Sequence, residues 1–422
     1  AGLTIDDSDD GCDCLPQCKV HKTWTRQNDT IKIAPGDAIT DSAEAYYLMR
    51  QRGIENVIVM AGIPRMGYDV RFIMGDVRGN ENTAIIALHT LMVREHNRIV
   101  DLLTIADPSL SDEDKYQLSK KVVGAEMQAV TYNEYLPAIG VPVDTSGGYD
   151  PAIDPTISVE FSGGIFRMGH TSINQQALRL NSDLTPHAQG PITLEATLFN
   201  PQELFDTAGI EPFLLGLISN VQEATNAKMA AGLRYGLFQF GPTSMITDLA
   251  AIDIERGRDL GLGDYNQVRQ ALGLPAVTNF ADITSDGSLQ TILSSLYGGD
   301  VNDIDLWVGM LVEDHLADVS SGSTVQAGIA DQFERLAIGD RFFYEWDPDI
   351  AMIESLYGVF VLDSLAELML ANTDIPASSI INPSNIFVVP EPSTLMVIAM
   401  SMLAFVTCRR HAVPLRFLYQ SL

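Results

Sequence analysis

Cysteine is nearly absent from the body of this chain: three of its four cysteines stand at Cys12, Cys14 and Cys18, the fourth is Cys408, and none lies between. That distribution excludes a disulfide-stapled scaffold for the main body. Positive charge is scarce as well, with 26 Lys and Arg against 55 Asp and Glu and a formal net charge of −29. So acidic a chain is repelled by a polyanion and gains little from counterion release, which argues against nucleic acid as a partner. It equally disfavours docking by charge to an anionic membrane surface. Long apolar runs are missing except for one near the C-terminus, and no charged segment followed by an apolar one opens the chain as a secretory signal would. Apolar residues make up 46% of the 422 residues and charged residues 19%, a globular composition rather than a disordered acidic one. There is material here for one large domain or two ordinary ones.

The N-terminal cluster Cys12-x-Cys14-x3-Cys18-x2-His21 has zinc-type ligands but lacks the paired CxxC spacing, so a local disulfide or a surface loop suits it better. A helical pattern over Asp41–Arg52, then Gly53 and the strand-like Asn56–Met60, predicts a small α/β fragment within residues 1–60. From about Gly75 the texture turns helical. Asn82–Leu103 predicts a helix with Ile85, Leu88, Met92, Ile99 and Leu103 inward, and Leu118–Tyr132 another with Val123, Met127 and Val130 inward. Pro137–Pro155 reads as loop, and further helices are expected at Pro201–Ser219, Ala224–Leu237 and Gln326–Leu336. Strand signals are few and repeats absent, so the expected fold is mainly α. After the loop-like Pro376–Asn385 come Pro390-Glu391-Pro392, an apolar run Leu395–Cys408 and Arg409-Arg410-His411. A helix over that run rises about 21 Å, against about 30 Å of bilayer hydrocarbon. The arginine pair behind it follows the positive-inside rule.

Histidines number seven. His89 and His96 lie two helical turns apart, sharing a face but too distant to chelate one ion, and read as packing residues. His21, His187, His315 and His411 have no recognisable partners nearby in the sequence. His170 differs: it sits in Phe166-Arg167-Met168-Gly169-His170-Thr171, after Ser162-Gly163-Gly164. A glycine immediately before a histidine lets a flat group come close to the backbone.

Three separated segments carry a resemblance. They are Gly75-Asp-Val-Arg78-Gly-Asn-Glu81-Asn82 with His89–Arg98; Phe166–Thr171; and Ala251-Ile-Asp253-Ile-Glu-Arg256-Gly-Arg258-Asp259-Leu-Gly261 with Tyr265-Asn266. Their order, spacing and wording resemble the animal-type haem peroxidases, the myeloperoxidase/peroxinectin superfamily with its bacterial members. The likeness continues through Asn302–Trp307, Gln332–Leu336 and Gly339–Phe343 and covers about residues 70–388. It implies a haem-peroxidase-like helical core that binds haem b. His170 matches the proximal ligand of the haem iron. Asp253 matches its hydrogen-bond partner, where the animal enzymes often have asparagine. A carboxylate there gives the imidazole imidazolate character. Arg78 matches the distal arginine, a fixed cation that polarises peroxide. Glu81 matches the carboxylate that esterifies a haem methyl, and Arg167 and Arg256 match the partners of the haem propionates.

Departures from the family pattern also bear on function. Asn82 stands where myeloperoxidase has a methionine joined to haem, so that sulfonium bond is not expected. The family's Arg-Asp-His-Gly becomes Arg258-Asp259-Leu260-Gly261. No histidine between Ala1 and Arg78 sits in the family's Gly-Gln-Phe-x-Asp-His-Asp context, and neither the second haem-linked aspartate nor the calcium loop is found. Peroxide cleavage needs a base that moves a proton, an effect of roughly 10²–10⁴-fold, and Arg78 stays protonated. The resemblance therefore implies a haem-dependent peroxidase that oxidises small donors with hydrogen peroxide, with activity impaired by the missing distal region. The alternative is a non-catalytic exported envelope protein, a pseudo-peroxidase. A fatty-acid dioxygenase of the same superfamily would need a tyrosine where Arg167 stands.

Two further resemblances concern the ends. Residues 11–60 resemble a fragment of an isochorismatase-like cysteine hydrolase (CKVHKTWTRQNDTIKI and RGIENVIVM), but the nucleophilic cysteine expected after Met60 is absent, so that activity does not carry over. The C-terminal segment resembles the PEP-CTERM sorting signal of exported bacterial proteins. That implies sorting machinery as a partner and a location in the cell envelope or outside the cell. The expected division is 1–60 as an N-terminal fragment, 70–388 as the core, 389–411 as the sorting and anchor segment, and 412–422 as a tail.

Overall fold

In a computed structural model, residues 79–388 are described except 202, 205–208, 237–247 and 318, together with the backbone of three short N-terminal strands. Those strands, β1 (Leu3–Thr4), β2 (Thr23–Gln27) and β3 (Thr30–Lys32), pair antiparallel in that order. The helix and strand expected at 41–52 and 56–60, the cysteine cluster, Arg78 and everything from 389 onward lie outside the described residues.

The first long helix, α1 (Thr83–Ala106), begins where the extended Asn82 accepts the Ala84 amide at 2.7 Å, satisfying one of the N–H groups a helix start leaves unpaired. Its buried face is Thr83, Ile86, Ala87, Leu91, Glu95, Ile99 and Leu103. That face is rotated from the expected stripe: Ile85, Leu88 and Met92 are only half-buried, while Glu95 is fully buried. In α2 (Asp112–Val130) the cap is Ser111, and Asp112, Glu113 and Asp114 fill the first turn, where negative charge suits the helix dipole. Val122, Ala125, Glu126, Ala129 and Val130 are buried, whereas Met127, expected inside, is 53% exposed. The small Ala125 and Ala129 are buried where bulky Met127 was expected. Val122 meets Ile99 and Leu103 of α1 in one cluster.

Two acids and one base are enclosed between these helices. Arg98 grips Glu95 with two bonds, at 2.8 and 2.6 Å, and the Asn372 amide donates to Glu95 at 2.6 Å. Glu126 accepts the Leu362 amide at 3.2 Å with Oε1, but its buried Oε2 has no hydrogen-bond partner. Burial, then the Glu95 charge, pushes the Glu126 carboxyl up to about 9.

Shorter elements follow: α3 (Val159–Gly163), a 3₁₀ helix over Ile165–Thr171, the two-stranded pair β4 (Gln176–Ala177) and β5 (Ile192–Thr193), α4 (Leu194–Thr197) and α5 (Glu211–Ser219). Then come α6 (Leu249–Asp259), α7 (Tyr265–Ala271), α8 (Gly287–Leu296), α9 (Leu306–Val312), α10 (Ser323–Ile338), α11 (Pro348–Tyr357) and α12 (Leu365–Asn372). The expected helix at 224–237 is replaced by coil and a π-helical turn over Gly232–Gly236. There the Asn226 side chain takes the Lys228 amide and Asn174 takes the Glu223 amide, side-chain bonds that compete with helix. Within 201–219 the helix among the described residues runs over Glu211–Ser219, and Gly209, just before it, sits at φ 124°, where no helix continues.

Two clusters dominate the core. Ile86 and Leu91 of α1 pack with Phe213 and Leu214 of α5 and Leu368 and Met369 of α12. Phe161, Ile165 and Met168 pack with Trp307 and Met310 of α9 and Val325 and Ile329 of α10, and this second cluster clamps the 3₁₀ helix. A buried network anchors α9 in turn. Arg269 of α7 pairs with Glu313 at 2.6 Å, the Tyr265 hydroxyl donates to Glu313 at 2.5 Å, and the Thr324 hydroxyl donates to it as well.

The backbone is approached closely at Gly216 of α5, where an added Cβ would lie 2.0 Å from the Leu178 carbonyl oxygen. Gly216→Ala is expected to lower stability in urea unfolding by at least about 1–3 kcal/mol, as overpacking does. Gly124, inside α2 with nothing within 4 Å of an added Cβ, is the control. Gly124→Ala should raise stability by about 0.5–1 kcal/mol.

Candidate haem site

His170 is delivered by the 3₁₀ helix Ile165–Thr171, whose start is set by close packing. A Cβ on Gly164 would fall 2.8 Å from Leu306 Cδ2 and 3.1 Å from the Glu160 carbonyl, so the small-residue segment read from the sequence is a packing requirement. The His170 Nδ1 lies 2.6 Å from Asp253 Oδ2. Asp253, on α6, is fully buried. A buried carboxylate accepts, so the Nδ1 proton belongs to the imidazole and Nε2 carries the lone pair. The Nε2 atom makes no hydrogen bond with a described residue, and the side chain keeps 27% of its exposure. A Cβ built on Gly169 meets nothing within 4 Å, so there is open space at the residue preceding the imidazole.

Asp253 has a second neighbour. Its Oδ1 is 3.5 Å from Arg167 Nη1, an ion pair too long for a good hydrogen bond, and Oδ1 has no hydrogen-bond partner. Arg167 Nε is buried and also without one. Burial first, and then the Arg256 charge, push the Arg167 guanidinium below its usual value, against the opposing pull of Asp253. Arg256 stands three residues after Asp253 on α6 and has no ion-pair partner among the described residues. Two half-buried cations thus stand close together, and among the described residues only Arg167 is paired with Asp253.

Of the residues singled out in the sequence, the structure brings together Arg167, His170, Asp253 and Arg256. Glu81 stands just before α1, half-buried, with its carbonyl accepting the Phe199 amide at 2.9 Å. Phe199 packs in a cluster with Leu194, Leu233 and Leu249, the last at the start of α6. Asn82 donates to the Thr197 hydroxyl at 2.9 Å. Arg78 lies outside the described residues. His96 packs on Tyr116, with ring centroids 5.5 Å apart.

Supporting residues went unassigned in the sequence. The Trp307 indole N–H donates to the Arg167 carbonyl at 3.4 Å, and Arg258 grips Asp305 at 2.9 and 2.8 Å. Both lie in segments quoted for the resemblance, which was the available signal. His315 Nε2 contacts the Thr225 carbonyl at 2.6 Å, and the Thr225 hydroxyl bonds Ser172 at 3.1 Å, bracing the end of the 3₁₀ helix. Nothing local marked that link. Asp253 also lines a cavity of about 120 Å³ with Gly163, Arg258, Asp305 and Trp307.

Among the described residues, no group of three or more His, Cys, Asp or Glu side chains could hold a metal ion by itself. The chemistry of the site suits haem: a lone-pair imidazole nitrogen beside open space, and two guanidinium groups short of anions beside it. Among those residues too, no helix is long and apolar enough to cross a membrane.

Comparison with known proteins agrees with this arrangement. The animal haem peroxidase family matches residues 44–386, beginning upstream of the boundary expected near 70. The PEP-CTERM protein-sorting motif matches residues 388–410, which indicates sorting for export. Peroxinectin A of Dictyostelium discoideum is 36% identical over 286 residues, 68% of this chain and 52% of that protein, so the chain spans about half the length of this relative. In structure the chain is similar to peroxidase A from Dictyostelium discoideum, with TM-score 0.69 and 31% identity, covering 84% of this chain and 64% of that one. It also shares its fold with fatty acid alpha-dioxygenase of Arabidopsis thaliana, with TM-score 0.61 and 19% identity, covering 76% and 59% of the two chains. The mainly helical fold, the His170–Asp253 geometry and a family match over most of the sequence agree, and the chain belongs to the animal haem peroxidase family, whose members bind haem.

Proposed function

We propose that this chain is an exported haem peroxidase that oxidises small donors with hydrogen peroxide. The observation that carries the reading is the 2.6 Å contact between His170 Nδ1 and the buried Asp253 carboxylate. It supports a ring held by Asp253 with Nε2 as the iron ligand of haem b. Arg167 and Arg256 supply guanidinium N–H groups for the propionates, a reading supported by the long 3.5 Å contact of Arg167 with Asp253 and by Arg256 having no ion-pair partner among the described residues. Glu81 is the candidate for an ester bond to a haem methyl. Arg78 is assigned the distal cation that orients peroxide and steadies charge on the departing oxygen. When bound, haem supplies the redox-active iron at which peroxide is reduced and donors are oxidised.

The core is assigned to 70–388, with family similarity extending upstream to residue 44. Residues 1–60 are assigned as an N-terminal fragment, 389–411 as the sorting and anchor segment, and 412–422 as a tail. Sorting at the C-terminus supports a place in the cell envelope or outside the cell, with the export machinery as partner.

The test is hydrogen peroxide-dependent oxidation of guaiacol and of bromide by the haem-loaded chain. Turnover above that of free haemin is expected. A chain that binds haem through histidine yet shows no such turnover would favour the second reading, a non-catalytic exported pseudo-peroxidase.

A further inference from the structure

We infer that Arg167 is a positioning residue for the His170–Asp253 pair, holding the second oxygen of Asp253 and setting how strongly that carboxylate draws on the His170 Nδ1 proton. The inference rests on the haem reading for its consequence but not for its geometry. Arg167 and His170 are three residues apart on a 3₁₀ helix, where such side chains stand over one another. Both therefore leave the helix toward α6, and both reach the same carboxylate: Oδ2 at 2.6 Å from His170, Oδ1 at 3.5 Å from Arg167.

The backbone beneath Arg167 is fixed from two sides. Its amide donates to the Gly164 carbonyl at 3.0 Å, and its carbonyl accepts from Trp307 at 3.4 Å. Arg256, three residues along α6 from Asp253, repels the Arg167 guanidinium, while among the described residues Asp253 is the one carboxylate paired with it. Among the described residues, Asp253 has no other hydrogen-bond donor than His170. In a buried site the attraction between a guanidinium and a carboxylate is weakly screened. The Arg167 charge therefore withdraws electron density from Asp253, and the hydrogen bond to His170 is weaker than an unmoderated carboxylate would make. Removing that charge should push the imidazole further toward imidazolate.

The test uses the full chain with ¹⁵N-labelled histidine, first without haem. The Nδ1 proton of His170 is expected to move downfield in Arg167→Gln and to stay near its wild-type position in Arg167→Lys. In an Asp253→Asn background, where the carboxylate is gone, Arg167→Gln should leave that resonance unmoved. After haem loading and reduction, the iron–histidine stretching frequency should rise in Arg167→Gln and fall in Asp253→Asn. An unchanged resonance in Arg167→Gln would overturn the inference, as would an equal shift with and without Asp253. Failure of the wild-type chain to bind haem would instead count against the haem reading, because the resonance is read without it.

Discussion

Replacing His170 with alanine is expected to abolish haem binding by the full chain, lowering affinity more than about 100-fold, the upper range seen for loss of a residue that merely supports a metal ligand. No other described histidine shares this setting. His96 lies against Tyr116 and His315 is engaged with the Thr225 carbonyl. The substitution also strands Asp253, whose Oδ2 loses its donor in a fully buried position, and a buried unpaired carboxylate is costly. His170→Ala with exogenous imidazole separates the two effects. Imidazole can occupy the vacated space, donate to Asp253 and offer its other nitrogen to iron, so haem binding should return with it. A His170→Ala chain that keeps a histidine-ligated haem spectrum without added imidazole contradicts the assignment.

Glu126→Gln is expected to stabilise the protein at alkaline pH and to change little below about pH 4.5. The Glu126 carboxyl is pushed up to about 9 by burial and by Glu95, whereas an unfolded glutamate titrates near 4.3. Between those values the folded protein holds a proton that the unfolded chain has released. Stability therefore falls as pH rises through that window and levels off above it. At about 1.36 kcal/mol per unit, the full loss amounts to several kcal/mol. The bound proton also matters structurally. Glu126 Oε2 has no donor and the Glu95 carboxylate is its neighbour, so an O–H on Glu126 turns a repulsive contact into a hydrogen bond. A glutamine amide can do the same at every pH while its carbonyl keeps the Leu362 amide. Chemical unfolding at pH 5 and pH 9 checks this. Equal stability differences between variant and wild type at the two values would refute it.

That acid pair also marks where reading the sequence stopped. Glu95 lies between apolar positions of an amphipathic pattern, and a glutamate in that place ordinarily faces water. Its partner Asn372, and Leu362 that donates to Glu126, approach from far along the chain, and periodicity holds no information about such partners. The same limit placed Met127 inside: α2 buries Val122, Ala125 and Ala129 instead, and only packing decides which edge of a broad apolar face is covered.

The site was more legible. Gly169-His170 and Asp253-x-x-Arg256 are short local patterns whose geometry follows from one turn of helix. The meeting of Arg167 with Asp253 was not legible, since it depends on how α6 docks against the 3₁₀ helix. Arg167 read as a partner for propionates only, and its position beside Asp253 gives it a second role.

The central claim is that this chain binds haem through His170, and titration of the full chain with haemin tests it most directly. The expected result is a Soret band saturating at one haem per chain, with the spectrum of a histidine ligand. Absence of any band beyond that of free haemin, in protein shown to be folded by circular dichroism, would contradict it.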